Sequence, residues 1–167
     1  MTERLLFIGG MPGCGKSTFG RWLKSGQGFE HIDMETQDLE RFGLQNAWDE
    51  FWQGRDSDKF LRSLSRLSPK IVLDWGFPPS LLGVVSNLKS NGANLWWFDG
   101  DRLSARVLCA KAKGAAALPA FDCQCARIAA EWASIGAVFG SHIIRTVAPG
   151  GAVMSPESVW SIIGGSS

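Results

Sequence analysis

A glycine cluster followed by a lysine and a serine is the stretch of the sequence with the clearest chemistry. The pattern Gly10-x-x-x-x-Gly15-Lys16-Ser17 follows an apolar run and precedes residues with helical spacing. Because glycine adopts positive φ angles, such a loop can turn its backbone N–H groups around an anion, and the N-terminus of the following helix adds partial positive charge. This is the P-loop pattern, in which the lysine reaches the β- and γ-phosphates and the serine hydroxyl binds Mg²⁺. The motif predicts a site for Mg-ATP.

Two carboxylates end the second apolar run of the sequence. In HIDMETQDLERFG (31–43), Asp33 and Glu35 lie two residues apart. Just past a strand, such a pair can face the γ-phosphate, where one carboxylate takes the proton of an acceptor hydroxyl and the other holds a metal-bound water. The sequence does not show which of the two is the base. Alternatively, Asp33 is a turn residue or the N-cap of the next helix, and Glu35 is a solvated acid in its first turn. Asp74, at the end of KIVLD (70–74), is expected to bind Mg²⁺ through water, unless backbone amides satisfy it.

Alternating apolar runs and helical segments are expected to position these residues. The alternation is typical of a parallel sheet with helices on both faces, so the sequence predicts an α/β, P-loop NTPase fold with five parallel strands. The predicted strands are 4–9, 29–33, 70–75, 93–99 and 141–147, and the predicted helices are 16–24, 37–53, 57–67, 80–90, 102–113, 122–139 and one capped by Ser155. The sequence KGAAALPAF (113–121) is predicted to be a loop.

Composition limits the class of protein. A chain of 167 residues fits one domain, 1–167. Its 17 basic and 16 acidic residues leave a net charge of +1, which gives no general field to attract nucleic acid or an anionic membrane. The four cysteines show neither C-x-x-C spacing nor pairing with histidine, which indicates reduced thiols. Because the sequence has no signal-like start and no apolar run of roughly 20 residues, we expect a cytoplasmic protein. We also expect a monomer or a weak dimer.

The sequence GGMPGCGKST (9–18) and the order of elements resemble the small P-loop kinases of metabolites, nucleosides and antibiotics. This group includes shikimate kinase-like, gluconate kinase-like and chloramphenicol phosphotransferase-like enzymes. The resemblance implies transfer of the γ-phosphoryl group of Mg-ATP to a small hydroxyl acceptor. Asp33-x-Glu35 is similar to the D-x-D of shikimate kinase-like enzymes, with Glu35 in place of the second aspartate.

The resemblance also implies further site residues. A helical lid at 102–127 would supply cations to the transferring phosphoryl group, with Arg106 as the first candidate and Lys111 or Lys113 as alternatives, although the same helix is also typical of a solvated face. The loop RTVAPGG (145–151) would surround adenine. The implied nucleotide-binding residues are Gly10, Met11, Pro12, Gly13, Cys14, Gly15, Lys16, Ser17, Thr18, Arg102, Pro149 and Gly150. The implied catalytic residues are Lys16, Asp33, Glu35 and Arg106, and the implied metal ligands are Ser17 and Asp74.

Eight tryptophans and no tyrosine are an unusual aromatic composition. Aromatic residues at helical or strand spacing usually pack in the core, and we expect that of most of them. Trp75 follows Asp74 directly at a strand end. Together with Phe77 and a helix carrying Phe42, Trp48 and Phe51, it is a candidate wall of an acceptor pocket.

Three functions fit these observations, and the kinase fits best. The alternatives are an NTPase that hydrolyses ATP as a switch and a nucleotide-binding module with little turnover. A switch would more plausibly carry a glutamine or asparagine near the third strand, and DWGFPP (74–79) has neither. The expected ligands are therefore a nucleotide and a small hydroxyl compound, with no nucleic acid or membrane partner. The sequence does not identify the acceptor.

Overall fold

The computed structural model describes residues 4–54, 57–76 and 79–164. Within these ranges one sheet contains five strands: β1 (Arg4–Gly10), β2 (Glu30–Asp33), β3 (Lys70–Asp74), β4 (Asn94–Gly100) and β5 (Ile143–Val147). The α-helices of the same ranges are α1 (Lys16–Gly26), α2 (Asp38–Arg41), α3 (Gln45–Trp52), α4 (Ser57–Leu67), α5 (Leu82–Ser90), α6 (Arg102–Lys113), α7 (Leu118–Ala130), α8 (Trp132–Phe139) and α9 (Pro156–Gly164). Short 3₁₀ turns at Pro79–Leu81 and Ala115–Ala117 precede α5 and α7.

The strand order β2-β3-β1-β4-β5 places the P-loop at the centre of the sheet. Every strand pair is parallel, and the register aligns Ile8 of β1 with Asp74 of β3, and Asp74 with Asp33 of β2. The connection after β1 leads to β2 on one side of the sheet, whereas the connection after β3 leads back past β1 to β4 on the other side. Such a switch point, at the carboxyl ends of the strands, is where open α/β sheets bind ligands.

Helices cover both faces of the sheet. Neighbouring residues of a strand point to opposite faces. Trp97 of β4 packs edge-on against Phe139 of α8, with 5.3 Å between ring centroids. The next residue, Phe98, packs against Phe19 of α1 at 5.5 Å. The predicted α/β architecture is therefore confirmed.

Three predicted segments differ from the structure. The predicted helix 37–53 is two helices, because the chain turns at Gly43, where φ is +67°. The predicted helix 122–139 begins earlier, at Leu118, and is divided at Glu131, which no glycine or proline explains.

The loop prediction for 113–121 is wrong over most of its length. Only Gly114, where φ is +83°, interrupts the helices, since the alanines favour helix and Pro119 is tolerated in a first helical turn. Across the described ranges, no helix combines the length and apolar character needed to cross a membrane.

Candidate functional site

A cavity of about 600 Å³ opens at the carboxyl edge of the sheet. The P-loop and α1 line it with Pro12, Gly13, Gly15, Lys16, Ser17, Thr18 and Arg21. Asp33 at the end of β2 lines it, together with Glu35 and Thr36 of the following turn, and the remaining lining residues are Leu108, Cys109, Ala112, Lys113, Gln124 and Val153. The structure thus brings the P-loop lysine and the predicted carboxylate pair to one cavity.

The P-loop positions require glycine for two reasons: positive φ angles and the lack of room for a Cβ atom. Gly13 and Gly15 have φ angles of +77° and +81°, in the left-handed region that favours glycine. A Cβ atom on Gly10 would collide with the carbonyl of Phe98 in β4, to which the N–H of Met11 donates a hydrogen bond of 2.9 Å. A Cβ atom on Gly13 would overlap the carbonyl oxygen of Ala105 in α6. The loop is therefore held tightly between β4 and α6.

Positive charge and backbone donors converge at the start of α1. Gly15 caps this helix without any side-chain hydrogen bond, and the first turn contains no acidic residue. The ammonium of Lys16 lies 3.2 Å from the carbonyl oxygens of both Gly10 and Met11, and its side chain is only 8% exposed. Because the first N–H groups of a helix have no partner within the helix, this arrangement suits a phosphate group, with the Ser17 hydroxyl beside it.

Cys14, inside the P-loop, serves as a packing residue. Its side chain is buried, and its carbonyl oxygen accepts a 2.8 Å hydrogen bond from the Thr146 hydroxyl of β5. Burial raises the pKa of the Cys14 thiol to about 12, although the nearby charge of Lys16 opposes the shift. The thiol is therefore protonated at neutral pH, which does not favour a reactive role.

Asp33 both shapes the turn after β2 and faces the cavity. Its Oδ1 accepts a 3.0 Å hydrogen bond from the N–H of Glu35, and its carbonyl oxygen accepts a 2.8 Å bond from the Thr36 hydroxyl. Burial, and next the charge of Asp74, raise the pKa of the half-buried Asp33 carboxyl. A carboxylate with raised proton affinity suits a general base. Asp33 therefore both stabilises the turn and lines the cavity.

The sequence interpretation missed two residues of the cavity lining, Gln124 and Arg21. Gln124 of α7 donates a 2.9 Å hydrogen bond from its amide nitrogen to the carbonyl oxygen of Gly76, just after β3. A Cβ atom on Gly76 would collide with the Glu35 carboxylate, so Glu35, Gly76 and Gln124 meet at one point. Arg21 also lines the cavity. Its position, one helical turn after Ser17, is the sequence signal that would have identified it.

Asp74 is the predicted metal ligand that the structure keeps away from the cavity. Its side chain is 2% exposed and is not part of the cavity lining. The carboxylate lies beside His31, with 3.3 Å between Oδ2 and Nε2, rather than among backbone amides as the alternative interpretation expected. His31 in turn packs against Gly20 of α1, where a Cβ atom would collide with the imidazole.

The predicted cations of 102–127 divide between the cavity and the outer surface. Arg106 makes two exposed hydrogen bonds to Asp122, from Nε at 2.8 Å and Nη2 at 2.9 Å, and faces an outer groove together with Lys111. Lys113 lines the cavity. The predicted nucleotide contacts Arg102, Pro149 and Gly150 are exposed and lie outside the cavity lining.

The aromatic wall predicted for the acceptor pocket is core packing instead. Trp48 and Trp75 are buried with ring centroids 5.2 Å apart and perpendicular planes, and Phe51 packs on Trp48 at 5.5 Å. Phe42 lies under the guanidinium of Arg41, and none of these four described aromatic residues lines the cavity. Phe77 lies outside the described residues.

Comparison with known proteins identifies the fold. No protein-family model matches the sequence, and no curated protein matches it. The structure is similar to that of shikimate kinase from Bacteroides thetaiotaomicron, with a TM-score of 0.55 and 14% identity over 98% of this chain and 93% of that one. It is also similar to a gluconokinase from Sinorhizobium meliloti 1021, with a TM-score of 0.51 and 14% identity over 98% of this chain and 91% of that one. The chain therefore has the α/β fold of the small P-loop kinases.

Proposed function

We propose that this protein is a small-molecule kinase that transfers the γ-phosphoryl group of Mg-ATP to a hydroxyl acceptor. The observation that carries the proposal is a cavity that contains both the P-loop lysine, Lys16, and the Asp33–Glu35 pair. A phosphate site alone would fit any nucleotide-binding protein. A half-buried carboxylate of raised pKa in the lining of the same cavity is what a proton-accepting step requires.

The nucleotide half of the site fits a triphosphate and Mg²⁺. Gly13 and Gly15 turn the loop, the uncapped start of α1 offers N–H donors, and Lys16 supplies positive charge. The Ser17 hydroxyl and the phosphates would hold Mg²⁺, which neutralises charge on the phosphoryl group when bound. No three His, Cys, Asp or Glu side chains form a metal cluster within 4–54, 57–76 and 79–164.

The acceptor half of the site supplies the base. The acceptor hydroxyl gives its proton to Asp33, its oxygen bonds to the γ-phosphorus, and the bond from that phosphorus to the bridging oxygen of ADP breaks. Asp33 is the proposed base because burial and Asp74 raise its proton affinity. Lys113 and Arg21, both in the cavity lining, are the proposed cations for the charge on the transferring group.

The test is transfer of radiolabelled γ-phosphate from ATP to a panel of hydroxyl compounds. Lys16→Ala should lower turnover about 10²- to 10³-fold, the scale of a lost charge-stabilising donor, and Asp33→Asn should lower it at least about 10²-fold with ATP binding nearly unchanged. Lys24→Ala is the matched control, since Lys24 is exposed at the other end of α1 and pairs with Glu30. Label that appears only as inorganic phosphate, or full turnover in Lys16→Ala, would contradict the proposal.

A further inference from the structure

The strand order separates two parts of the cavity lining. The P-loop follows β1, whereas Asp33 ends β2 and Glu35 follows it, two strands away, a separation of about 10 Å at the usual strand spacing. Gln124 and Glu35 both meet Gly76, which follows the intervening β3. We call the part lined by Asp33, Glu35, Thr36 and Gln124 the acceptor compartment. It is the proposed acceptor site, so any ligand class assigned to it rests on the proposed function.

Positive charge is absent from the described lining of the acceptor compartment. The cations of the cavity are Lys16 and Arg21 of α1 and Lys113 at the end of α6. Lys16 and Arg21 lie beside the P-loop, where the phosphate chain of a nucleotide would use their charge. The described lining residues assigned to the acceptor compartment include no cation beside Asp33 and Glu35.

The surface groove next to the acceptor compartment continues the negative charge. Thr36 lines both, and the groove adds Gln37, Asp38, Glu40 and Arg41. Arg41, the basic residue among these described residues, is already engaged. Its Nη1 lies 3.4 Å from Asp38 Oδ1, and its guanidinium lies 4.8 Å from the centre of the Phe42 ring. Asp38 and Glu40 against Arg41 leave the described lining of this groove with one excess negative charge.

Hydrogen bonding gives the same indication as charge. Ionised carboxylates only accept hydrogen bonds. One N–H of the Gln124 amide is used by the Gly76 carbonyl at 2.9 Å, which leaves its Oε1 and its second N–H for a ligand. The acceptor compartment therefore presents mainly hydrogen-bond acceptors and negative charge, and its best partner is a cationic group with several N–H donors. A protonated primary amine has three such donors and one positive charge.

We propose that the phosphoryl acceptor is an amino alcohol: a small hydroxyl compound whose protonated amine binds Glu35 and the Gln124 carbonyl while its hydroxyl faces Asp33. A carboxylate-bearing acceptor would meet the like charges of Asp33 and Glu35 here. A neutral polyol would make the hydrogen bonds but would leave the carboxylate charges uncompensated. The gain from one hydrogen bond between charged groups corresponds to about a 10- to 100-fold preference.

The experiment compares three acceptors of one skeleton that differ in charge: D-glucosamine, D-glucose and D-gluconate, each with γ-labelled ATP. A set of aminocyclitols and linear amino alcohols, each with its deaminated counterpart, extends the comparison. We expect kcat/KM to be at least about 10-fold higher for the amine than for its neutral counterpart, with no transfer to the acid. A preference for the neutral or acidic compound overturns the inference but leaves phosphoryl transfer, and the proposed function, standing.

Glu35→Gln separates charge recognition from chemistry, since it removes the charge and nearly keeps the shape. It should lower kcat/KM for the amines by about 10- to 100-fold, with a much smaller effect on the neutral counterparts and on the KM for ATP. Glu131→Gln is the matched control, because Glu131 is exposed between α7 and α8, away from the cavity. An equal loss for amines and neutral compounds would place Glu35 in the chemistry and overturn the inference. Transfer to none of the acceptors, with all label in inorganic phosphate, would overturn the proposed function and this inference together.

Discussion

Two P-loop glycines, Gly13 and Gly15, have the same backbone conformation but different surroundings. Alanine substitution at each position therefore separates the cost of the backbone conformation from the cost of a steric overlap. The φ angle is +77° at Gly13 and +81° at Gly15. An alanine Cβ at position 13 would overlap the carbonyl oxygen of Ala105 in α6, whereas at position 15 no atom beyond the chain neighbours lies within 4 Å of it. Gly15→Ala therefore measures the backbone cost alone, and Gly13→Ala measures that cost plus the contact with α6.

The expected magnitudes come from these two effects. A left-handed conformation costs a residue with a Cβ atom about 1–2 kcal/mol, which applies to both variants. Overlap with a rigid backbone carbonyl adds about 1–3 kcal/mol, the usual cost of overpacking, at position 13 only. For a domain of this size each kcal/mol shifts Tm by about 2–4 °C. Gly13→Ala should therefore melt about 2–12 °C below Gly15→Ala, the overpacking cost multiplied by this shift.

Urea unfolding without ligand, followed by the fluorescence of the eight tryptophans, gives the free energy of unfolding for each variant. Gly83→Ala is the control, because Gly83 lies in α5 with open space around a Cβ atom and without a positive φ, so its stability should stay the same or rise by up to about 1 kcal/mol. Equal losses at positions 13 and 15, with unchanged slopes against urea, would refute the packing of α6 on the P-loop.

Three further predictions concern the site. Because burial and Asp74 raise the pKa of Asp33 above its usual 3.8, activity should rise with pH along an acid limb whose midpoint lies above that value, and Asp33→Asn should abolish this limb in the pH profile of kcat/KM. Lys113→Ala should lower turnover more than Arg106→Ala, since only Lys113 lines the cavity; steady-state kinetics check this, and the reverse order would place Arg106 at the phosphates. The buried Cys14 thiol, with its pKa raised to about 12, should react with iodoacetamide at pH 8 far more slowly than the exposed Cys123, as peptide mass spectrometry would show.

The elements were predictable because their signals are local. The helices α4 and α6 begin and end at the residues expected from their apolar spacing. Each strand overlaps one of the apolar runs of the sequence. The P-loop and the pair Asp33 and Glu35 were predictable as cavity residues for a related reason, since the carboxyl ends of parallel strands meet at one edge. Local pattern and topology together were enough for this part of the site.

Side-chain partners were not predictable, because they depend on distances between residues far apart in the chain. Arg106 pairs with Asp122, 16 residues later, and so turns away from the cavity, although its place on α6 suggested a phosphate ligand. Gln124 reaches Gly76 across 48 residues. Trp75 looked like a pocket wall because it comes after a strand end, but it packs into aromatic neighbours from α3. A single sequence shows which groups can carry charge, not which group lies nearest.

The helix α6 contacts the P-loop, and the helix α7 contacts the acceptor side of the cavity. The backbone of α6 packs on the P-loop at Gly13, and α7 bonds the carbonyl of Gly76 through Gln124 on the acceptor side. A movement of both helices away from the acceptor side must break that hydrogen bond, at a net cost of about 0.5–1.5 kcal/mol. A ligand shifts such an equilibrium only by the difference in its affinity for the two arrangements. To offset the lost hydrogen bond, nucleotide would therefore have to bind the moved arrangement about 2- to 13-fold more tightly than the arrangement described here.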